Sequence, residues 1–357
     1  MTSNFDLNKI LRPHIISLAP YSSARDEYTG HVGIFLDANE NPYGSVTAEN
    51  YNRYPDPYQA EIKQKISPLK HINAERIFLG NGSDEPIDLL IRATCTPGQD
   101  HVIIMPPTYG MYEVSANIHD AKIDKVLLTP DFSIDTEAVL NAIMPQTKII
   151  WICSPNNPTG NVMQNDAIQT LLENFNGLVV VDEAYIDFTK APSWIGQLDN
   201  YPNLVVLQTF SKAWGLAGLR VGMCFASPEL IRILNKIKPP YNISLPAQKA
   251  LLEGLEHIET KTAMVADILH ERSSLCTMLE DLSLVIKVYP SDANFLLVQF
   301  EDAKAVMDYL IGAQIIVRDR SRVQLCQGCL RITVGTKQEN EVLIDSLKKY
   351  QQTSVIV

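Results

Sequence analysis

The 357-residue chain is 46% hydrophobic and 20% charged, a globular balance that excludes a disordered, collagen-like or disulfide-scaffold protein. Its length suits one large domain plus a smaller one. A formal charge of -11 argues against an unassisted nucleic-acid surface, since phosphate neutralisation needs clustered Lys and Arg, yet it leaves room for a small anion held by a few arginines.

The opening segment Met1–His14 lacks a basic stretch followed by a long apolar core, so no signal peptide is expected. No apolar run approaches the roughly 20 residues needed to span a bilayer. A soluble, cytoplasmic protein is the expectation. Residues 1–45 have little periodicity and scattered Pro, Gly and Asn. They read as an extended arm, associated with the smaller domain and a candidate for lying on another subunit.

Residues 46–282 read as the large domain. Between about 76 and 226, short apolar strands recur between helical patterns, at Ile77–Leu79, His101–Met105, Lys148–Cys153, Leu178–Val181, Leu204–Leu207 and Val221–Ala226. Runs such as LVVV and LVVL are continuous, the mark of strands buried on both faces. Strand–helix alternation then predicts an α/β fold with a mainly parallel sheet flanked by helices. A helical stretch follows Pro246 to about Leu282. Residues 283–357 read as a compact α/β module, with strands at Asn294–Phe300, Gln314–Val317 and Leu330–Val334 and helices at Asp302–Leu310 and Glu339–Tyr350.

Six cysteines show no framework spacing, which predicts reduced thiols. Cys326 and Cys329 form a lone C-x-x-C. A structural zinc needs four ligands, so they read as small residues beside a strand, and no metal is expected.

Ligands of open α/β sheets bind beyond the carboxyl ends of the strands. Five of the six large-domain strands run into polar or turn-rich segments there, at 80–84, 106–109, 154–160, 182–185 and 209–212. Gly80-Asn81-Gly82-Ser83 leads into a helical run. An anion site at the helix start and a merely capped helix both fit, and in either case Asp84 and Glu85 should point aside. Asp182 ends the run Leu178–Val181, where a carboxylate needs strong donors or a cation. A satisfied structural Asp, a cap, or a partner for a cationic ring nitrogen all fit; Tyr185 is placed to reach the same ligand. Lys212 follows a buried strand among Phe210, Ala213 and Trp214, where partial desolvation lowers an amine's pKa and frees a nucleophile or base. Arg220, after Gly215, Ala217 and Gly218, has the fork that fits phosphate oxygens.

Ser211-Lys212 through Gly218-Leu219-Arg220 resembles the S-K-x-x-x-x-x-G-x-R lysine motif of fold-type I pyridoxal-phosphate (PLP) enzymes, in the aspartate-aminotransferase-like family. Ser154 to Gly160 match that family's S-P-N-N-P-T-G loop, and Asp182-Glu183-Ala184-Tyr185 its D-E-x-Y motif. The resemblance covers nearly the whole chain. It implies a seven-stranded large-domain sheet and pyridoxal 5'-phosphate bonded to Lys212, which also serves as base. Asp182 would pair with the cofactor's ring nitrogen, Asn157 and Tyr185 would bond its ring hydroxyl, and Tyr109 would stack on the ring. The backbone at Ser83 and Asp84, with Thr209, Ser211 and Arg220, would hold its phosphate, with Tyr54 reaching it from the other subunit of a homodimer.

Within that family, Leu18–Arg25, Leu36–Pro42, Ile315–Asp319 and Cys329–Gly335 are similar to the branch that transaminates histidinol phosphate with 2-oxoglutarate. That likeness implies that Arg331, helped by Arg318 and Tyr21, takes the substrate anion, with Asn157 also at the substrate. An aromatic aminotransferase, a β-lyase and a phosphate-substrate decarboxylase share most of these residues. A PLP-binding regulator would need a DNA-binding domain, for which residues 1–45 are too short and insufficiently basic. A nicotinamide dehydrogenase is disfavoured because Gly80–Glu85 fails the last position of G-x-G-x-x-G.

Overall fold

The computed structural model describes residues 5–19 and 33–354. Strands β1 (Ile77–Asn81), β2 (His101–Ile104), β3 (Lys122–Lys125), β4 (Thr147–Cys153), β5 (Leu178–Asp182), β6 (Leu204–Thr209) and β7 (Val221–Phe225) form one sheet in the order β1-β7-β6-β5-β4-β2-β3. Only β7 runs against its neighbours. The α/β fold with a mainly parallel seven-stranded sheet is thus as expected.

The continuous apolar runs explain the burial. Val179, Val181, Leu204 and Val206 point into one core, while Leu178, Val180, Val205 and Leu207 point into the other, on the opposite face. Successive side chains alternate faces, so a strand covered on both sides must be apolar at every position. Each such Val or Leu contributes roughly 1.5–3 kcal/mol by leaving water. β3 escaped the sequence reading because it is the sheet's edge: its residues Lys-Ile-Asp-Lys are exposed or half-buried.

A second, antiparallel sheet has the order β10-β11-β9-β8, built from β8 (Val285–Val288), β9 (Phe295–Phe300), β10 (Arg318–Asp319) and β11 (Cys329–Thr333). Helices Ala303–Gly312 and Lys337–Ser354, with the end of helix Ile258–Glu280, share a core with it that includes Leu275, Leu279, Leu310 and Leu347. The strand expected at Gln314–Val317 is displaced. Gln314 has φ 61° and donates its N–H back to Ile311, closing the preceding helix, so pairing begins only at Arg318. The single helical stretch after Pro246 is two helices, Leu245–Gly254 and Ile258–Glu280. Gly254 weakens the helix there, and Leu255 turns into the large core.

Residues 5–19 correct the expectation that the arm accompanies the smaller domain. Ile10 joins the core beneath Phe78 and Leu234, and the Arg12 N–H donates to the Ala93 carbonyl at 2.9 Å. Lys236 Nζ donates to the carbonyls of Ile15 and Ile16, each at 2.9 Å. The apolar side chains of this segment find their cover on the large domain's helices Asp84–Thr94 and Pro228–Ile237.

Candidate active site

The segments that follow β1, β2, β4, β5 and β6 converge on a cavity of about 720 Å³, closed on one side by β10 and β11. The convergence follows from topology, because parallel strands put their carboxyl ends on one edge. Ser83 and Asp84, Tyr109, Asn157, Asp182 and Tyr185, Thr209, Ser211 and Lys212, and Arg220 all line it, together with Arg318 and Arg331. Tyr54 does not. It lies in a separate hollow, stacked on Tyr241 at 4.4 Å between ring centroids. Tyr21 lies outside the described residues.

Close backbone approach builds the end near Arg220. The Gly82 N–H donates to the Arg220 carbonyl at 2.9 Å, and Gly82 sits at φ 65°. A Cβ on Gly222 would fall 2.3 Å from the Gly82 carbonyl carbon, so only glycine fits there. Ser83 precedes helix Asp84–Thr94 without making a side-chain cap bond, which leaves its hydroxyl facing the cavity. The Thr209 and Ser211 hydroxyls lie 3.0 Å apart. Glu85 turns aside to Asn81 and Asn242, as expected. Asp84 does not: one oxygen accepts from the Tyr109 hydroxyl at 3.0 Å, and the other lies 3.4 Å from Arg220 Nη2. A cation beside that carboxylate makes its inward orientation affordable.

Asp182, at the end of β5, is buried and among the described residues has no cation in contact. Its Oδ2 accepts from the Tyr112 hydroxyl at 2.7 Å and its Oδ1 from the Ala184 N–H at 3.1 Å. Burial nonetheless pushes its carboxyl up to about 6. Tyr112 was not foreseen. It is fully buried, stacks on Trp151 at 5.0 Å, and follows Tyr109 by three residues. That spacing is the one sequence signal for it. The neighbouring acid Glu183 points away from the cavity, accepting from Ser193 Oγ, the Trp194 N–H and Gln208 Nε2 at 2.6–2.8 Å. Asn156 likewise braces its loop, donating to Pro107 and Thr159, whereas Asn157 faces the cavity.

Lys212 is more accessible than its apolar neighbours suggested, because its side chain opens onto the cavity. Its Nζ lies 5.7 Å from the centre of the Tyr185 ring. Partial desolvation first, then Arg331 and Arg220, lower its pKa, while Asp182 and Asp84 oppose them. Arg331 donates to Asn157 Oδ1 at 2.5 Å and lies over the Phe295 ring. Among the described residues it has no carboxylate partner, and burial lowers its pKa. The cavity therefore holds a buried acid, an amine with lowered pKa, and two separated cationic ends. That set suits a ligand carrying anions at both ends and a proton-bearing nitrogen between.

The model of the family "Aminotransferase class I and II" matches residues 34–347. The chain belongs to the class I and II aminotransferases. This aminotransferase is 58% identical over 346 residues to the protein named histidinol-phosphate aminotransferase of Cytophaga hutchinsonii, covering 97% of this chain and 99% of the relative. The protein of the same name from Parabacteroides distasonis is 51% identical, with 96% and 98% covered. In fold the aminotransferase is similar to the crystal structure of histidinol-phosphate aminotransferase from Sinorhizobium meliloti in complex with pyridoxal-5'-phosphate. There the TM-score is 0.78 at 22% identity, covering 95% of this chain and 97% of the other.

Proposed function

We propose that the protein is a PLP-dependent aminotransferase that moves an amino group between L-histidinol phosphate and 2-oxoglutarate, giving imidazole-acetol phosphate and L-glutamate in histidine biosynthesis. The observation that carries this reading is one cavity in which Lys212 faces both the buried Asp182 and the carboxylate-free Arg331. The named relatives favour this substrate over the aromatic, lyase and decarboxylase alternatives.

The residues fit the cofactor. Three hydroxyls, the start of a helix and Arg220 suit a phosphate, and the Gly82–Gly222 contact keeps side chains out of that end. At the other end Asp182 has its proton affinity raised but, among the described residues, no cation beside it, so a cationic ring nitrogen would relieve its isolation. When bound, PLP supplies an electron sink for the substrate carbon that loses its proton.

Asp182, held in place by Tyr112 and the Ala184 N–H, would keep a proton on the ring nitrogen. Asn157 has its Oδ1 committed to Arg331, so its Nδ2 would donate to the ring hydroxyl, where Tyr185 would join it. Tyr109, which lines the cavity, would stack on the ring. Lys212, its pKa already lowered, takes the proton from the substrate's amine-bearing carbon as a neutral amine. Arg331, with Arg318 and Tyr21, grips the phosphate of histidinol phosphate and, in the second half of a ping-pong cycle, the α-carboxylate of glutamate. A shared anion site is what lets two unlike substrates use one cavity in turn.

The domain divisions we favour are an arm at 1–45, a large domain at 46–282 and a small one at 283–357. A homodimer accounts for the later part of the arm, where Ile34, Leu36 and Tyr43 are 86–97% exposed. It would also bring Tyr54 to the partner's cofactor phosphate. No described helix is long and apolar enough to cross a membrane. Six free cysteines support a cytoplasmic location.

Titrating the PLP-loaded protein with histidinol phosphate alone should bleach the visible band of the lysine-bound cofactor, and 2-oxoglutarate should restore it. A band indifferent to histidinol phosphate but bleached by another amine would overturn the substrate reading.

A further inference from the structure

The β10–β11 register aims three arginines, not two, at the cavity. Arg318 pairs directly with Arg331, and the ladder continues with the Arg320 N–H donating to the Cys329 carbonyl at 2.9 Å. Side chains two apart on a strand share a face, as do directly opposed residues on the neighbouring strand. Arg318, Arg320 and Arg331 therefore project together, and all three line the cavity. Asp319, between them, projects to the other face, where its carboxylate accepts from the Ser321 N–H and hydroxyl at 2.7 and 2.6 Å.

None of the three makes an ion pair among the described residues. Arg320 Nε and Arg331 Nε are buried without a hydrogen-bond partner. Desolvation and the charges of Arg331 and Arg318 lower the Arg320 pKa, whereas Asp319 is the weakest influence on it. Like charges held this close without a counter-ion are unfavourable in the free protein. A ligand of matching charge offsets that repulsion.

The two substrates differ in what they bring. A carboxylate carries one charge on two oxygens, which one guanidinium fork can satisfy. A phosphate monoester carries about -1.5 to -2 at neutral pH on three acceptor oxygens. Arg331, with one nitrogen already given to Asn157, and Arg318 suffice for the first but leave one of the three oxygens without a fork in the second.

We propose that Arg320 is a specificity-determining residue, which binds the phosphate of the amine substrate and is dispensable for the carboxylate of glutamate. This rests on the assignment of histidinol phosphate as substrate. The test compares wild-type, R320Q and R320K holoenzymes with histidinol phosphate and with glutamate as amine donors. For R320Q, kcat/KM with histidinol phosphate should fall about 10- to 100-fold, the worth of a charge-assisted hydrogen bond, while that with glutamate changes less than about threefold. R320K, which keeps the charge but loses the fork, should fall between. Competitive inhibition by inorganic phosphate should weaken with R320Q, and inhibition by acetate should not. Equal losses with both donors, or none with histidinol phosphate, would overturn the proposal and leave the substrate assignment standing. A wild-type enzyme that uses glutamate but not histidinol phosphate would sink both.

Discussion

Tyr112→Phe keeps the stacking on Trp151 and removes the hydroxyl that Asp182 accepts at 2.7 Å, together with its weaker contact to the Cys153 thiol. Hydrogen bonds to charged groups are worth about 1.5–3 kcal/mol, and each pKa unit corresponds to about 1.36 kcal/mol. Losing this one should raise Asp182, already pushed up to about 6 by burial, by about one to two units. At pH 7 the ionised fraction would drop from about nine-tenths to between about one-half and one-tenth. The sign follows from the raised folded value. The fold favours the neutral acid, so the ionised carboxylate costs stability above its folded pKa, and that cost disappears as pH falls below the unfolded value, the ordinary 3.8. The variant should therefore lose more apoprotein stability at pH 8 than at pH 5. The decisive assay is PLP affinity of the apoprotein against pH. Wild type should weaken as pH falls through about 6, and the variant should do so about one to two units higher. Coincident midpoints for the two proteins would refute the reasoning that Tyr112 sets the charge on Asp182.

Arg331→Ala should lower kcat/KM for both histidinol phosphate and glutamate, by about 10- to 100-fold each, since both present an anion to one guanidinium. Half-reaction kinetics with each donor check this, and a loss confined to one donor would contradict a shared site. Mixing Tyr54→Ala with Lys212→Ala subunits through unfolding and refolding should recover about a quarter of wild-type activity, because a hybrid dimer rebuilds one intact site of two. Activity no higher than the sum of the separate variants would show that Tyr54 does not act across the dimer. Gly222→Ala should destabilise the fold by about 1–3 kcal/mol, as its Cβ meets backbone 2.3 Å away. A denaturant midpoint unchanged from wild type would count against that contact.

What the sequence revealed, and what it hid, divides by the range of the interaction. The central strands were readable because burial on both faces leaves no polar position, as in Leu178–Val181 and Leu204–Leu207. The cavity loops were readable because parallel strands deliver consecutive loop motifs to one edge, so Asn157, Asp182 and Lys212 meet without any knowledge of the packing. β3, β8 and β10 escaped because they are sheet edges, short and largely exposed, whose strand state is imposed by their neighbours. Tyr112 and Asp182 are 70 residues apart, and Asp84 and Arg220 are 136 apart. No local pattern records such pairs. Arg320 was hidden by one register shift. With pairing expected at Gln314–Val317, nothing placed it on the cavity face, whereas pairing from Arg318 does.

The central claim is that one amine, Lys212, bonds to PLP opposite a buried acid. Reducing the PLP-loaded protein with borohydride, digesting it and mapping the labelled peptide by mass spectrometry tests that claim directly. The account predicts a phosphopyridoxyl mass on Lys212 in wild type and its absence from the same digest of Lys212→Ala. A label on any other lysine, or none in a protein that turns over substrate, would contradict it.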